Sequence, residues 1–183
     1  EIAKELKDKS GISRHLGNIG LVYDNQGDYP RALEHYFKAY EVAKELGDKR
    51  GISSLLGNIG ILYDEQSDYP RALEHYFKAL EIAKELGDKR GISNHLGNIG
   101  NVYYSQGDYP KALEHFFKAL EIAKALGDKS RIARHLGNIG IVYNDQSNYP
   151  KALEHYFKAL EIVKELGNKS YISSWLGSIG NVY

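Results

Sequence analysis

The chain has no cysteine and no methionine, and only four prolines and one tryptophan among its 183 residues. Without cysteine it can form no disulfide, no thiolate-bound zinc site and no thiol nucleophile. Its 24 Lys and Arg balance 24 Asp and Glu, so no excess of positive charge points to a nucleic-acid ligand. No apolar run reaches the roughly 18 residues that a membrane-spanning helix needs. Composition therefore predicts neither nucleic acid nor a membrane as a partner.

The N-terminus shows neither a methionine nor a recognisable signal peptide. We therefore expect a cytoplasmic protein. The first six residues, E-I-A-K-E-L, match the end of a motif that recurs later in the chain. Such a start is expected of a segment from a longer array, of a processed chain or of a designed sequence.

A 40-residue pattern repeats along the whole chain. Residues 41–80 and 81–120 are identical at 30 of 40 positions. A period of this length is typical of a solenoid, in which each unit buries its apolar face against its neighbours. We predict one solenoid over residues 1–183, with residues 1–6 as a truncated preceding helix. Its units are expected at about 8–46, 48–86, 88–126 and 128–166, with a partial unit at 168–183.

Each unit carries the signals of two antiparallel helices. In the second unit, apolar residues recur every three or four positions after Asp48, which can cap the first helix. Asp68 and Pro70 predict the start of the second helix, and Gly87 supplies the left-handed residue that ends it. We expect joints of only one or two residues, which force antiparallel neighbours. Lys7 replaces that glycine in the first unit, so its joint is expected to be strained.

The repeated residues resemble the tetratricopeptide repeat, whose pattern combines W-x2-L-G-x2-Y with A-x3-F and a late proline. In the second unit the matching residues are Leu56, Ile59, Gly60, Tyr63, Ala72 and Tyr76. The corresponding residues of the other units are Ile19-Gly20-Tyr23 with Ala32-Tyr36, Ile99-Gly100-Tyr103 with Ala112-Phe116, and Ile139-Gly140-Tyr143 with Ala152-Tyr156. The resemblance implies an all-α, right-handed superhelical solenoid of antiparallel helix pairs. It also implies a non-enzymatic scaffold that binds a peptide or helix of a partner protein in a concave groove.

Two departures from that pattern concern the length of the repeat. The period is 40 residues instead of about 34. The family's closing proline is replaced by lysine at positions 44, 84, 124 and 164, so the second helix can continue further. The chain is in this respect similar to a long-repeat branch that includes kinesin light chains, spindle-orientation adaptors and bacterial signalling proteins.

The units differ from one another mainly on one side of the first helix. We call this side the variable face: positions 14, 18, 21 and 25 and their equivalents in the later units. Successive places are three or four residues apart, which puts them on one side of a helix. In the resembled family this side lines the groove. The groove residues that we predict are Arg14, Asn18, Asn58, Ile61, Asn94, Asn98, Asn101, Tyr104, Arg134, Asn138 and Ile141.

Asparagine recurs on this face at positions 18, 58, 98 and 138, although it disfavours helix interiors. One hypothesis is that these amides bind the backbone of an extended peptide, one contact per unit. The alternative is that each amide binds a carbonyl of the adjacent helix and fixes the stacking. Arg14, Asn18 and Asn58 fit part of the family's clamp for acidic chaperone tails, but the neutral Asn94 and Asn98 leave that clamp incomplete.

Other kinds of site are not supported by the sequence. The recurring G-N-I-G lies within a helix and lacks the strand and the lysine of a phosphate-binding loop, so its glycines are expected to let the second helix approach. The seven histidines recur at unit spacing, which is too wide for neighbours to share a metal. We therefore predict no enzyme, no metal and no cofactor. Self-association through the ends of the array is the alternative to binding another protein.

Overall fold

The structure, a computed structural model, describes the backbone of residues 2–182 and the side chains of residues 8–182. This part of the chain is all α and forms helix pairs, which confirms the predicted repeat solenoid of helices. None of its helices combines the length and apolarity required to cross a bilayer. The helices are α1 (Ile2–Asn25), α2 (Tyr29–Glu45), α3 (Lys49–Glu65), α4 (Tyr69–Glu85), α5 (Lys89–Ser105), α6 (Tyr109–Ala125), α7 (Lys129–Asp145), α8 (Tyr149–Glu165) and α9 (Lys169–Gly180).

The helix ends follow from local sequence. Asp48 and Asp68 cap α3 and α4, and Asp68 Oδ1 accepts the Arg71 N–H at 3.2 Å. Gly87 ends α4 in the left-handed conformation at φ 62°, as predicted. Ser67 adopts the same conformation at φ 58°, which costs a residue with a Cβ more than glycine. The joints contain three residues rather than one or two, because the left-handed residue lies between the turn residue and the next cap.

The first helix departs from the prediction for residues 1–6. Helix α1 is continuous from Ile2 to Asn25, so Ile2–Leu6 extend α1 and do not form a separate preceding helix. Lys7 lies within this helix. Because lysine avoids the left-handed conformation that glycine adopts at the other joints, the chain stays helical there.

The helices fall into two compact parts, Glu1–Gly91 and Ile92–Tyr183. We call these parts unit 1 and unit 2 from here on; they are larger than the 40-residue repeats. Unit 1 contains α1 to α4 and the first residues of α5. Unit 2 contains the rest of α5 and α6 to α9. The core of each unit consists of alanines and large side chains on the facing sides of the helices, such as Ile59 and Leu62 in unit 1 and Ile139 and Val142 in unit 2, all fully buried. Burying a side chain of this size contributes about 1.5–3 kcal/mol.

Each helix pair closes by placing an aromatic ring over a glycine. A Cβ added to Gly60 would lie 2.7 Å from Tyr76 Cε1, and one added to Gly100 would lie 2.6 Å from Phe116 Cε1. The glycines of G-N-I-G therefore allow the second helix to approach, as expected, and the group that approaches is an aromatic ring. That contact offsets the cost of about 1 kcal/mol that glycine carries within a helix.

A second glycine joins successive odd-numbered helices within each unit. In unit 1 the side chain of Leu55 on α3 lies 3.6 Å from the position of a Cβ on Gly17. In unit 2 the ring of His135 packs on Gly97, and the indole of Trp175 packs on Gly137. The odd-numbered helices therefore lie side by side, and their variable faces form a continuous surface within each unit.

Candidate functional site

The variable face of unit 1 contains a depression of about 430 Å³ between α1 and α3. Three of the predicted groove residues, Arg14, Asn18 and Asn58, lie on its wall. Ile61 lies outside the depression, with 37% of its surface exposed. The lining residues are Ser10, Ser13, Arg14, Gly17, Asn18 and Leu21 from α1, and Asp48, Arg50, Gly51, Ser54, Leu55 and Asn58 from α3 and its cap.

The polar groups of this depression are only partly used by the fold. Asp48 caps α3 by accepting the Gly51 N–H at 2.9 Å. The side-chain amides of Asn18 and Asn58 form no hydrogen bond within the described part of the chain. Asn18 is exposed and Asn58 is half-buried. The depression therefore presents amide donors and acceptors beside Arg14, next to the apolar side chains of Leu21 and Leu55.

In unit 2 the corresponding face is held together by its own hydrogen bonds. Asn94 Oδ1 on α5 accepts from Arg131 Nε at 3.0 Å and from an Arg134 terminal nitrogen at 3.1 Å. Arg131 also pairs with Asp128, the cap of α7. Partial burial, followed by repulsion from Arg131, lowers the pKa of Arg134. Two cations and one carboxylate meet at this place, which leaves a local excess of positive charge.

Two further contacts link α5 and α7. Asn138 Nδ2 donates to Asn101 Oδ1 at 3.1 Å, and the Tyr104 hydroxyl donates to Asp145 Oδ2 at 2.6 Å. That hydrogen bond, followed by burial, raises the pKa of Tyr104 to about 12. Asn138 therefore links two neighbouring helices, as the alternative hypothesis for these asparagines expects. Its acceptor is the side-chain amide of Asn101, whereas that hypothesis named a backbone carbonyl.

The remaining predicted residues of unit 2 lie on the same side of their helices. Asn98 is half-buried and forms no hydrogen bond through its side chain within the described residues. Ile141 is half-buried and packs against the core of unit 2. Each unit thus has its own group of predicted residues, and within unit 2 hydrogen bonds join Asn94 to Arg134 and Asn101 to Asn138.

Sequence reasoning missed several residues of these surfaces. Arg131 replaces the glycine found at positions 11, 51 and 91, and this substitution was the available signal. Arg50 lines the depression of unit 1. Because the next repeat has Arg90 at the same place, a comparison of the repeats did not identify Arg50 as a variable residue. Asp145 varies between units, yet its bond to Tyr104 depends on the packing of two helices that are distant in sequence.

A family model described as Tetratricopeptide repeat matches residues 11–85 and 91–165. No curated protein sequence matches the chain.

Solved structures share the fold at low sequence identity. BtubC (BKLC) from P. vanneervenii has a TM-score of 0.83 and 21% identity, over 99% of this chain and 80% of that one. The apo form of RapI has a TM-score of 0.83 and 22% identity, over 93% and 62%. Aspartyl phosphate phosphatase F from Bacillus subtilis has a TM-score of 0.87 and 18% identity, over 91% and 44%. The chain thus spans less than two thirds of the last two proteins.

The family match covers most of the chain, in two blocks that each span nearly all of two of the four complete repeats. The glycine and aromatic positions on which the helix pairs close are those of the tetratricopeptide pattern. The chain therefore belongs to the tetratricopeptide repeat family, whose helix pairs serve as scaffolds for protein–protein interaction.

Proposed function

We propose that this chain binds a peptide or helix of another protein on the variable face of its odd-numbered helices. The observation that carries the proposal is the depression of unit 1, in which the amides of Asn18 and Asn58 have no partner within the described chain. An extended peptide presents backbone N–H and C=O groups that need such partners. Leu21 and Leu55 offer apolar contact beside them.

The same proposal includes the finer properties that the sequence suggested. The chain is non-enzymatic, acts in the cytoplasm and takes a protein or peptide as its ligand. It belongs with the long-repeat branch, because its period is 40 residues and lysine replaces the closing proline. The balanced charge of the chain supports a protein ligand over a nucleic acid.

Selection of a random peptide library on the whole chain, followed by substitution of the two amides, tests the proposal. A selected peptide should bind the Asn18→Ala, Asn58→Ala double variant roughly tenfold or more weakly, since each lost hydrogen bond costs about 0.5–1.5 kcal/mol. The melting temperature should change little, because neither amide bonds to the rest of the described chain. Gln26→Ala, which removes an exposed amide outside the depression, is the matched control. Unchanged peptide affinity in the double variant, or a large loss of stability, would assign these amides to stacking instead.

A second function, self-association, is favoured by the exposed apolar side of α1. Ile19 is 42% exposed and Val22 is 54% exposed, whereas Ile59 and Leu62, the equivalent residues of α3, are fully buried. The far side of α9 is similarly open, with Leu176 at 51%. A second copy of the chain is the occupant we propose for these surfaces. Light scattering over a concentration series should then show a rising mass, and a constant monomer mass at high concentration would eliminate this function.

A further inference from the structure

Three carboxylates converge on unit 1 where α1 and α3 end. We call Asp24, Asp64 and Glu65 the acidic corner. Glu65 is exposed, and the other two are half-buried. Glu65 interacts electrostatically with both Asp24 and Asp64, and the hydroxyl of Tyr29 on α2 interacts with Glu65. The corner is therefore accessible to a partner from outside and is built from several helices of one compact unit.

No cation of the described chain neutralises the acidic corner. None of its three carboxylates takes part in an ion pair. Burial, followed by repulsion between the carboxylates, raises the pKa of Asp64 and Glu65. Carboxylates that repel one another without a paired cation lower the stability of the folded chain. Groups with pKa values perturbed in this way are concentrated at functional sites.

The position of the corner also opposes the helix dipoles. The C-terminus of a helix carries a partial negative charge, so each acidic residue in the last turn costs about 0.3–1 kcal/mol. The last turns of α1 and α3 contain no basic residue, whereas Lys44 and Lys84 occupy the last turns of α2 and α4. The even-numbered helices of unit 1 thus have a basic residue at the negative end of the dipole, whereas α1 and α3 have acidic residues there, at the corner.

The floor of the corner contains a buried hydroxyl whose only polar neighbours among the described residues are carboxylates of the corner itself. Tyr36 on α2 is fully buried, and its hydroxyl forms no hydrogen bond of normal geometry. It lies beside Asp24, and burial, followed by the charge of Asp24, raises the pKa of Tyr36 to about 12. A buried polar group without a partner costs about 1–3 kcal/mol. This is an observation independent of the three charges, and it points to a missing polar ligand.

Unit 2 provides an internal comparison, because the same places carry different residues there. Tyr104, Asn144 and Asp145 replace Asp24, Asp64 and Glu65, and Phe116 replaces Tyr36. The single carboxylate, on Asp145, accepts the Tyr104 hydroxyl at 2.6 Å. In unit 2 the carboxylate therefore has a hydrogen-bond donor from the chain itself, and Phe116 carries no hydroxyl at the place of Tyr36.

We propose that the acidic corner binds the ammonium or guanidinium group of a lysine or arginine side chain of the partner segment that occupies the variable face of unit 1. The inference rests on the proposed function and adds the chemistry of one contact. A lysine ammonium or an arginine guanidinium accepts no hydrogen bond and offers three to five N–H donors. It pairs with the carboxylates and gives the Tyr36 oxygen an acceptor role. A metal ion is less suited, because no three acidic or histidine residues of the described chain are arranged to hold one.

The experiment uses a phage-displayed library of random peptides selected on the whole chain. Selected peptides should share a basic residue, and replacing that residue by norleucine, which keeps the apolar stem, should weaken binding at least tenfold. In the Asp24→Asn, Glu65→Gln variant that difference between the basic peptide and its norleucine analogue should disappear. The variant should fold, since the amides keep the shape of the side chains and remove repulsion. Asp145→Asn, on the equivalent place in unit 2, is the matched control and should keep the full difference.

The outcomes separate this inference from the function on which it rests. Recovery of no peptide would overturn the proposed function, and the basic-side-chain site with it. Two outcomes would overturn the basic-side-chain site alone. In the first, the selected peptides share no basic residue. In the second, the norleucine analogue loses as much affinity for the Asp24→Asn, Glu65→Gln variant as it loses for the wild type. Titration with calcium and magnesium completes the test: binding of either ion that Asp24→Asn, Glu65→Gln abolishes would assign the corner to a metal and also overturn the inference.

Discussion

At the scale of single residues, the odd-numbered helices depend on glycines whose missing side chain leaves room for a ring. Gly20, Gly60, Gly100 and Gly140 lie directly under Tyr36, Tyr76, Phe116 and Tyr156. The neighbouring set at positions 17, 97 and 137 receives a side chain of the next odd-numbered helix within the same unit. Because packed interiors have no spare volume, these positions are sensitive to a single added methyl group.

Gly60→Ala should therefore destabilise the protein. The new Cβ would lie 2.7 Å from the Tyr76 ring, and relieving such a contact in a packed core costs about 1–3 kcal/mol. Urea unfolding followed by circular dichroism measures the loss. Gly11→Ala is the control, because Gly11 is also helical but has no atom within 4 Å of its added Cβ. It should gain up to about 1 kcal/mol; equal stability of the two variants would contradict this explanation.

His135 is the buried titratable residue with the clearest consequence. It is fully buried on α7, and its Nε2 lies 3.1 Å from Ser93 Oγ. Burial, followed by repulsion from Arg134 and Arg131, lowers the pKa of His135 from 6.5 to about 4, with only Asp128 acting in the opposite direction. The folded chain therefore keeps this imidazole neutral at pH values where the unfolded chain already binds a proton.

The stability of the protein should fall between about pH 6.5 and pH 4 for this reason. The unfolded state takes up the proton first, so acidification favours unfolding, by about 3 kcal/mol over the whole interval. Urea unfolding of wild type and His135→Leu at pH 7 and near pH 4.5 isolates the effect. Leucine is a suitable replacement because Leu55 occupies the same place in the second repeat. If both proteins lose equal stability on acidification, His135 is not responsible.

At the scale of helices, each element is defined mainly by its two ends. An Asp or Asn accepts a backbone N–H at the start, and proline follows at the beginning of the even-numbered helices. A residue with positive φ follows each helix from α1 to α8, and it is glycine except at Ser67 and Ser147. Helix α9 has a different position, because it packs on α8 and leaves its other side exposed.

Trp175 is the main anchor of α9. Its indole is 6% exposed, covers Gly137 of α7 and stacks on Tyr156 of α8 with ring centroids 5.9 Å apart. Gly137→Ala should displace α9, because the added Cβ would overlap the indole ring. Trp175 is the only tryptophan of the chain, so a red shift of its fluorescence reports the displacement directly.

Gly177→Ala is the control for that experiment, because no atom lies within 4 Å of its added Cβ. This variant should keep the wild-type emission maximum. Unshifted emission in Gly137→Ala would show that α9 does not depend on this contact.

At the scale of the whole molecule, the helices and their order were predictable because the signals are local and recur. Asp68, Pro70 and Gly87 mark their helix ends by their own conformational preferences. The variable face was predictable in the same way, from the period of one helix. The failure at Lys7 also has a local cause, because a residue that avoids the left-handed conformation removed the joint.

The bonds between helices were not predictable from the sequence. Tyr104 and Asp145 are 41 residues apart, and their contact depends on how α5 and α7 lie side by side. The lack of partners around Tyr36 is likewise a property of the packed unit. Sequence patterns therefore located the two candidate surfaces but did not show which polar groups on them were already satisfied by the fold.

The surface between α1 and α3 has opposite electrical polarity at its two extremities. Arg14 lies in the middle of α1 and Arg50 lies in the first turn of α3, beside its cap Asp48, whereas Asp24 and Glu65 lie at the C-terminal ends of the two helices. Ten residues of helix separate Arg14 from Asp24, a rise of about 15 Å. The dipole of α3 adds to the same gradient. If the partner segment that we propose carries one acidic and one basic end, we expect it to bind in a single orientation, and we expect a peptide of reversed sequence to lose both attractions.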